Sequence, residues 1–368
     1  MGLCMSAQGG TKTNTETVSE YNIKVVLLGG GGVGKSTLFK QLSLLYGSGF
    51  SDEYRQQAKG EIYDNMLQLL TELGDHSVTL DIDMEDDNEE IPDAVQEVFA
   101  SFHGRNTNEP VPKLGAELWA DIKKMWYDSG IVKTLQSLND KSNAAAQKLK
   151  YLRSAVSFFD DIERLADESH YLPNDADILK LRRPTEKEAT MNYSARIINK
   201  QKRLVQYNVE CVDVGGQSHA QANWGKYCQG AQTIVYMCSI SSYDDYLHTE
   251  GSDQNELRNQ IQLFEKVTQS EWFQNANIII MLNKCDLFQQ KIRTVDFKNY
   301  FPGFKGKPRM PSAACAYVEE ILLSKVQSTQ SVACFRTCAT DRKLMEKMLL
   351  TVTQNIADHN LKAAGMKT

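Results

Sequence analysis

The sequence predicts an α/β fold, a doubly wound and mostly parallel sheet interrupted by an inserted all-helical unit, and three observations carry that prediction. An apolar run, Ile23 to Leu28, leads through Gly29-Gly30-Gly31-Gly32-Val33-Gly34-Lys35-Ser36-Thr37 into the periodic segment Leu38, Phe39, Leu42, Leu45. Two further apolar runs end in short polar motifs, at Asp213 to Gln217 and at Asn283 to Asp286. Between Lys35 and Asp213 lies far more chain than one crossover needs, and most of it places apolar residues at helical spacing.

The first element reads as strand, phosphate loop and helix. Glycines let backbone NH groups curl around a polyphosphate, Lys35 reaches the outer phosphates, and the Ser36 hydroxyl suits an octahedral Mg²⁺ shared with the nucleotide. The full GxxxxGKS pattern in this setting predicts a bound nucleoside triphosphate.

The insert, from Gly47 to Asp177, shows repeated helical periodicity and little strand signal. Ile62, Met66, Leu69, Leu70 and Leu73 share one face, as do Val95, Val98, Phe99 and Phe102. Leu118, Ile122, Met125 and Trp126 make another, and Leu149, Leu152, Val156, Phe159 and Ile162 a fourth. Such helices bury one another as a small bundle. The acidic stretch Asp81 to Glu90 fails as a calcium loop, because counting from Asp81 the glycine position holds Asp86 and the closing glutamate position holds Pro92. It reads as a solvated loop.

Val209 to Gln217 reads as a strand ending in DxxGQ, with Asp213 placed to hold Mg²⁺ through water and the Gly216 NH placed to sense a γ-phosphate. Ile234 to Ile240 and Val332 to Thr337 read as two more core strands. Asn283-Lys284-Cys285-Asp286 follows the strand Ile278 to Leu282, and a carboxylate there meets the guanine N1 and N2 donors, selecting guanine over adenine. This motif argues against a kinase or ATPase. In a doubly wound sheet the ligand lies at the carboxyl ends of the strands, where all three motifs fall.

At 368 residues the chain is long enough for two domains of roughly 150 residues each. A net charge of -6 and the lack of a dominating basic block exclude nucleic acid as the main partner; Lys200, Lys202 and Arg203 read as a solvated hairpin tip. The eight cysteines show no paired metal-ligand spacing and read as reduced thiols of a cytosolic protein. No apolar stretch approaches the roughly 18 residues that span a bilayer. Met1-Gly2-Leu3-Cys4-Met5-Ser6 fits the myristoylation pattern at Gly2, and Cys4 as a palmitoylation site supplies the second signal that stable anchoring needs. Gln8 to Glu20 carries a single basic residue, Lys12, so anionic lipid adds little.

From about Ile23 to Gly365 the chain resembles the α subunits of heterotrimeric G proteins. The phosphate loop, the helical insert, DVGGQ, LNKCD and Thr337-Cys338-Ala339-Thr340 stand in that family's order, supported by Trp126-Tyr127-Asp128-Ser129-Gly130, Ser241 to Asp245, and Asn360-Leu361-Lys362. The resemblance implies a P-loop GTPase with an inserted all-α helical domain: a lipid-modified segment at 1–20, a Ras-like GTPase domain at 21–47 and 178–368, and the helical domain at 48–177. It implies a linker and first switch over Asp177 to Thr185, with Arg182 as the arginine finger, Arg183 being the alternative if the alignment moves by one. Thr185 is implied as a Mg²⁺ ligand beside Ser36, with Asp213 acting through water. Implied nucleotide contacts are Gly32, Val33, Gly34, Lys35, Ser36, Thr37, Leu181, Gly216, Asn283, Lys284, Asp286 and Ala339, the last through its NH to the guanine O6. Gln217 is implied to orient the attacking water. Further expectations are GTP and GDP as ligands, Mg²⁺ as cofactor, and a place at the cytoplasmic face of the plasma membrane. The expected partners are a βγ dimer, a seven-helix receptor, a GTPase-activating regulator and an effector.

The chain departs from that family at defined places. Gly32-Val33 stand where the family carries Glu-Ser, so a contact between that glutamate and the finger cannot form. Ser218 to Asn223 replaces a basic stretch before Trp224, and the segment before the first strand is poor in helix formers, which predicts a reduced βγ-binding helix. Arg153-Ser154 stands where the family often has Asp-Ser, predicting looser closure and, with Gly32, fast GDP release. The leading expectation is a GTP-hydrolysing switch that transduces membrane-receptor signals. The alternative, motivated by the altered second switch, is a nucleotide-gated membrane adaptor with little or no hydrolysis.

Overall fold

Apolar runs buried on both faces become the centre of a six-stranded sheet in the computed structural model, which describes residues 19–88, 90–103, 110–137, 154–182, 188–198, 204–249, 252–274, 276–328 and 330–363. β1 (Ser19–Leu28) lies between β3 (Leu204–Asp213) and β4 (Thr233–Ser239), and β7 (Asn277–Asn283) and β8 (Ser331–Arg336) continue the sheet beyond β4. These five strands run parallel. β4 and β7 are buried at every position, as strands covered on both faces must be. β2 (Ala189–Ile198) closes one edge, antiparallel to β3 from Ala189 opposite Asp213 to Ile198 opposite Leu204. Sequence reasoning does not single out β2, because its edge position lets polar residues alternate with apolar ones. A second, two-stranded sheet pairs β5 (Tyr246–Thr249) with β6 (Ser252–Asn255).

The period-2 alternation of each strand feeds two cores. On one face Val26, Leu28, Tyr236 and Ile280 pack with α10 (Trp224–Cys228), which follows the short α9 (Ser218–Gln221), and with α11 (Glu256–Gln269), α12 (Cys285–Lys291) and α13 (Pro311–Leu323), through Trp224, Phe264, Phe288 and Val318. On the other face Val25, Leu27, Met237 and Met281 meet α1 (Lys35–Tyr46) and α14 (Arg342–Ala363) through Leu38, Leu42, Met345 and Leu349.

A third core belongs to the helical insert: α2 (Asp52–Thr79), α3 (Ile91–Phe102), α4 (Gly115–Tyr127), α5 (Ser129–Ser137), a helical stretch over residues 154–159 (α6), α7 (Ile162–Ala166) and α8 (Asp175–Lys180). Ser51 caps α2 by accepting from the Tyr54 NH at 3.2 Å. Trp126 stacks on Phe159 with ring centroids 3.9 Å apart, and Arg164 grips the buried Asp177 through two hydrogen bonds of 2.8 Å. Ile178 and Leu181 pack into this core, so the helical packing continues past Asp177 into the connection back to the sheet.

The acidic stretch after α2 is fastened more firmly than a freely solvated loop. Asp128 Oδ2 accepts from the Glu85 NH at 3.0 Å and from Asn88 Nδ2 at 2.8 Å, and Asn88 is buried. The cysteines at 211, 228, 238, 285, 315, 334 and 338 are free thiols, most of them buried. Among the described residues no helix is long and apolar enough to cross a membrane. Gly2, Cys4, Arg153, Arg183, Thr185 and the basic tip at Lys200, Lys202 and Arg203 lie outside the described residues.

Candidate nucleotide-binding cleft

Three loops leave the carboxyl ends of β1, β7 and β8, and Asn283 ties them together. Its Nδ2 donates to the Val33 carbonyl at 2.8 Å, while its Oδ1 accepts from the Ala339 NH at 2.9 Å and the Thr337 hydroxyl at 3.0 Å. Gly34 adopts φ +109°, and a Cβ there would collide with Asn283 Nδ2, so the turn into α1 requires glycine. Gln41 on α1 reaches the Ala339 carbonyl at 3.0 Å, fixing the same loop from below. The Ala339 NH is therefore engaged with Asn283, and donation to a guanine O6 requires sharing or releasing that bond. Lys284 sits in the left-handed region at φ +61°, and its amine is held down to about 8 by burial and by the nearby Arg182 charge. Asp286 follows on the exposed first turn of α12.

At the other end of the cleft Lys35 is buried and folds back, its Nζ donating to the Gly29 and Gly30 carbonyls at 2.9 Å each. Burial lowers this amine to about 8, against the pull of Asp213. Ser36 Oγ donates to Asp213 Oδ2 at 2.9 Å, whereas Asp213 Oδ1 is buried without a hydrogen-bond partner. Burial raises the Asp213 carboxyl above its ordinary range, with Lys35, Ser36 and Lys40 opposing. A buried carboxylate oxygen left without a donor is a group that a hard cation satisfies, and the donor set of hydroxyl and carboxylate oxygen suits Mg²⁺. Thr37 lies half-buried in the first turn of α1.

Two further side chains converge on the phosphate loop from other elements. A Cβ placed on Gly31 would lie 2.9 Å from Gln217 Nε2, and one on Gly32 would lie 2.9 Å from Arg182 Nη2. Gly216 leaves no room for a side chain, since a Cβ would strike Lys35 Nζ and the Gly29 and Gly30 carbonyls. The segment after it is pinned by Trp224 Nε1 donating to the Gly215 carbonyl at 2.9 Å and Gln221 Nε2 to the Gly216 carbonyl at 3.0 Å.

The helical unit meets the cleft through backbone carbonyls. Lys40 Nζ donates to Ile178 O at 3.0 Å and Leu181 O at 2.9 Å, and Asn65 Nδ2 to Arg182 O at 3.2 Å. Leu181 is buried in the helical core, and its carbonyl accepts from Lys40 on α1. Sequence reasoning misses Gln41, Lys40 and Asn65, because one polar residue within a periodic helix carries no local signature. Thr337 belongs to a motif already singled out, and its hydroxyl is what shapes it.

A family profile described as G-protein alpha subunit matches residues 6–356. The chain is 31% identical over 348 residues to the guanine nucleotide-binding protein G(o) subunit alpha of Lymnaea stagnalis, covering 94% of this chain and 91% of that protein. It is similar at the same identity and length to a guanine nucleotide-binding protein subunit alpha of Emericella nidulans, with 94% and 90% covered. Against the guanine nucleotide-binding protein alpha-2 subunit of Dictyostelium discoideum it is 30% identical over 381 residues, with 100% and 99% covered.

Proposed function

The chain belongs to the G-protein α-subunit family, whose members are guanine nucleotide-binding GTPases that transduce signals, and from that premise we propose how its own residues divide the work. The loops tied by Asn283 receive the guanine, with Asp286 accepting from the base and Ala339 donating to it. Lys35 exchanges the Gly29 and Gly30 carbonyls for the outer phosphate oxygens. Ser36 and Thr185 would hold Mg²⁺, with Asp213 acting through water, and the ion would neutralise phosphate charge. Gln217 orients a water in line with the γ-phosphorus. An O–P bond forms as the bond to the β-phosphate oxygen breaks, and Arg182 offsets charge gathering on the phosphoryl group and the leaving oxygen. The observation that carries this reading is the convergence of Lys35, Gln217 and Arg182 on Gly29 to Gly32.

In the same reading residues 21–47 and 178–368 form the GTPase domain and 48–177 the helical domain that covers the nucleotide, with α8 and Leu181 crossing that boundary because Ile178 and Leu181 pack into the helical core. Acyl chains at Gly2 and Cys4 hold the protein at the cytoplasmic face of the plasma membrane. The family works with βγ dimers and receptors in general; a GTPase-activating regulator and an effector complete the proposed cycle.

Single-turnover hydrolysis of preloaded GTP tests the assignment. Arg182→Cys and Gln217→Leu retain nucleotide and slow hydrolysis by about 10³-fold or more, the lower end of the roughly 10³ to 10⁵ that an arginine finger supplies in GTPases of the Gα class. Unchanged rates would remove both residues from the mechanism. Near-zero hydrolysis by wild type would favour the adaptor reading.

A further inference from the structure

The helical unit is held to the rest of the protein at both ends of one short helix, α8. At its carboxyl end Lys40, on α1, caps the Ile178 and Leu181 carbonyls. At its amino end stands Asp175, whose two oxygens meet arginines of different elements. Oδ1 meets Arg55 of α2 at 2.6 Å, inside the helical unit, and that arginine also holds the Pro173 carbonyl at 2.7 Å. Oδ2 meets Nη1 of Arg342 at 3.6 Å. Arg342 is the first residue of α14, directly after the loop whose Ala339 bonds Asn283 and Gln41. A single carboxylate thus links the helical unit to the base-binding loops.

We propose that Asp175 and Arg342 form an interdomain clasp that slows GDP release by coupling α8 to the amino end of α14. Arg55 presets the carboxylate, so closing the clasp orders only the arginine. Displacement of α14 opens the pair and frees the amino end of α8, while Lys40 still holds the other end and acts as the pivot. Both are positioning residues, since neither touches the nucleotide cleft directly. The proposal rests on the guanine-nucleotide reading and adds a chain-specific control of exchange.

The test follows fluorescent GDP leaving the full-length protein after a chase with unlabelled GDP, beside hydrogen exchange of residues 175–181. A half-exposed pair of this kind contributes modestly, so Arg342→Ala should release GDP about threefold faster. Arg342→Lys should restore most of the wild-type rate, which a role in packing alone would not predict. Asp175→Ala should act in the same direction, and the double variant should be no faster than Asp175→Ala. Exchange at 175–181 should rise in Arg342→Ala while the core of α2 at residues 62–73 stays protected. Unchanged release and exchange in Arg342→Ala, or fully additive effects in the double variant, would overturn the clasp. A wild type that retains no GDP would instead remove the nucleotide reading, and the exchange comparison would then decide the clasp by itself.

Discussion

Two aspartates, one in each unit, are equally hidden from solvent and differ in everything else. Asp128 in the helical unit is 1% exposed and Asp213 at the end of β3 is 2% exposed. Asp128 accepts four hydrogen bonds: from the NH groups of Glu85, Gly130 and Ile131 and from Asn88 Nδ2. Burial pushes its carboxyl up, but the Asn88 and backbone donors prevail and hold it below the ordinary range. Among the described residues Asp213 accepts only the Ser36 hydroxyl on one oxygen while the other has no hydrogen-bond partner, and burial holds its carboxyl high. Burial alone therefore does not distinguish a structural carboxylate from a functional one. What separates these two is how many lone pairs are met and where: the unmet oxygen of Asp213 lies in the cleft beside Ser36 and Lys35, where a hard cation can satisfy it.

The sharpest test of that contrast is Asp213→Ala. It should weaken Mg²⁺-dependent GTP binding by about 10³-fold or more, roughly 4 kcal/mol, yet leave the melting temperature of the nucleotide-free protein unchanged or higher. A large drop in that temperature would erase the distinction. Asp128→Ala should do the reverse, lowering unfolding free energy by about 3 to 4 kcal/mol in denaturant titrations while the folded fraction binds GDP normally, since a helix cap and several buried donors lose their acceptor.

Lys35 extends the comparison to a cation. Its folded value, about 8, lies below the unfolded 10.5, so stability from this group is full above 10.5 and is lost as pH falls through about 8. Lys35→Met should therefore stabilise the nucleotide-free protein by about 2 kcal/mol near neutral pH, a gain that shrinks as pH rises toward 10.5, while abolishing GTP binding. The smallest effect belongs to the acid limb. The Asp128 contribution is present above the ordinary carboxylate range and is lost as pH falls below it. The difference in unfolding free energy between wild type and Asp128→Ala, taken from urea titrations, should accordingly narrow on acidification.

What could be read along the chain was whatever is written locally. Unbroken apolar runs mark the double-covered strands β4 and β7, the GKS turn marks a strand-to-helix junction, and NKxD marks a strand end. Each follows from backbone geometry and side-chain period over a few residues, so a linear reading suffices for the family and the order of its parts. Edge strand β2 escaped because half-exposure erases the apolar run, and the acidic stretch looked solvated because its anchor, Asp128, comes much later in the chain. The pairings that give each polar group its role arise only in three dimensions: Ser36 with Asp213, Asn283 with Val33 and Ala339, Lys40 with the carbonyls of Ile178 and Leu181, and Asp175 with both Arg55 and Arg342. A hydrogen bond between residues far apart in sequence has no period and no composition, because the tertiary packing of the chain creates it and no local conformational preference specifies it.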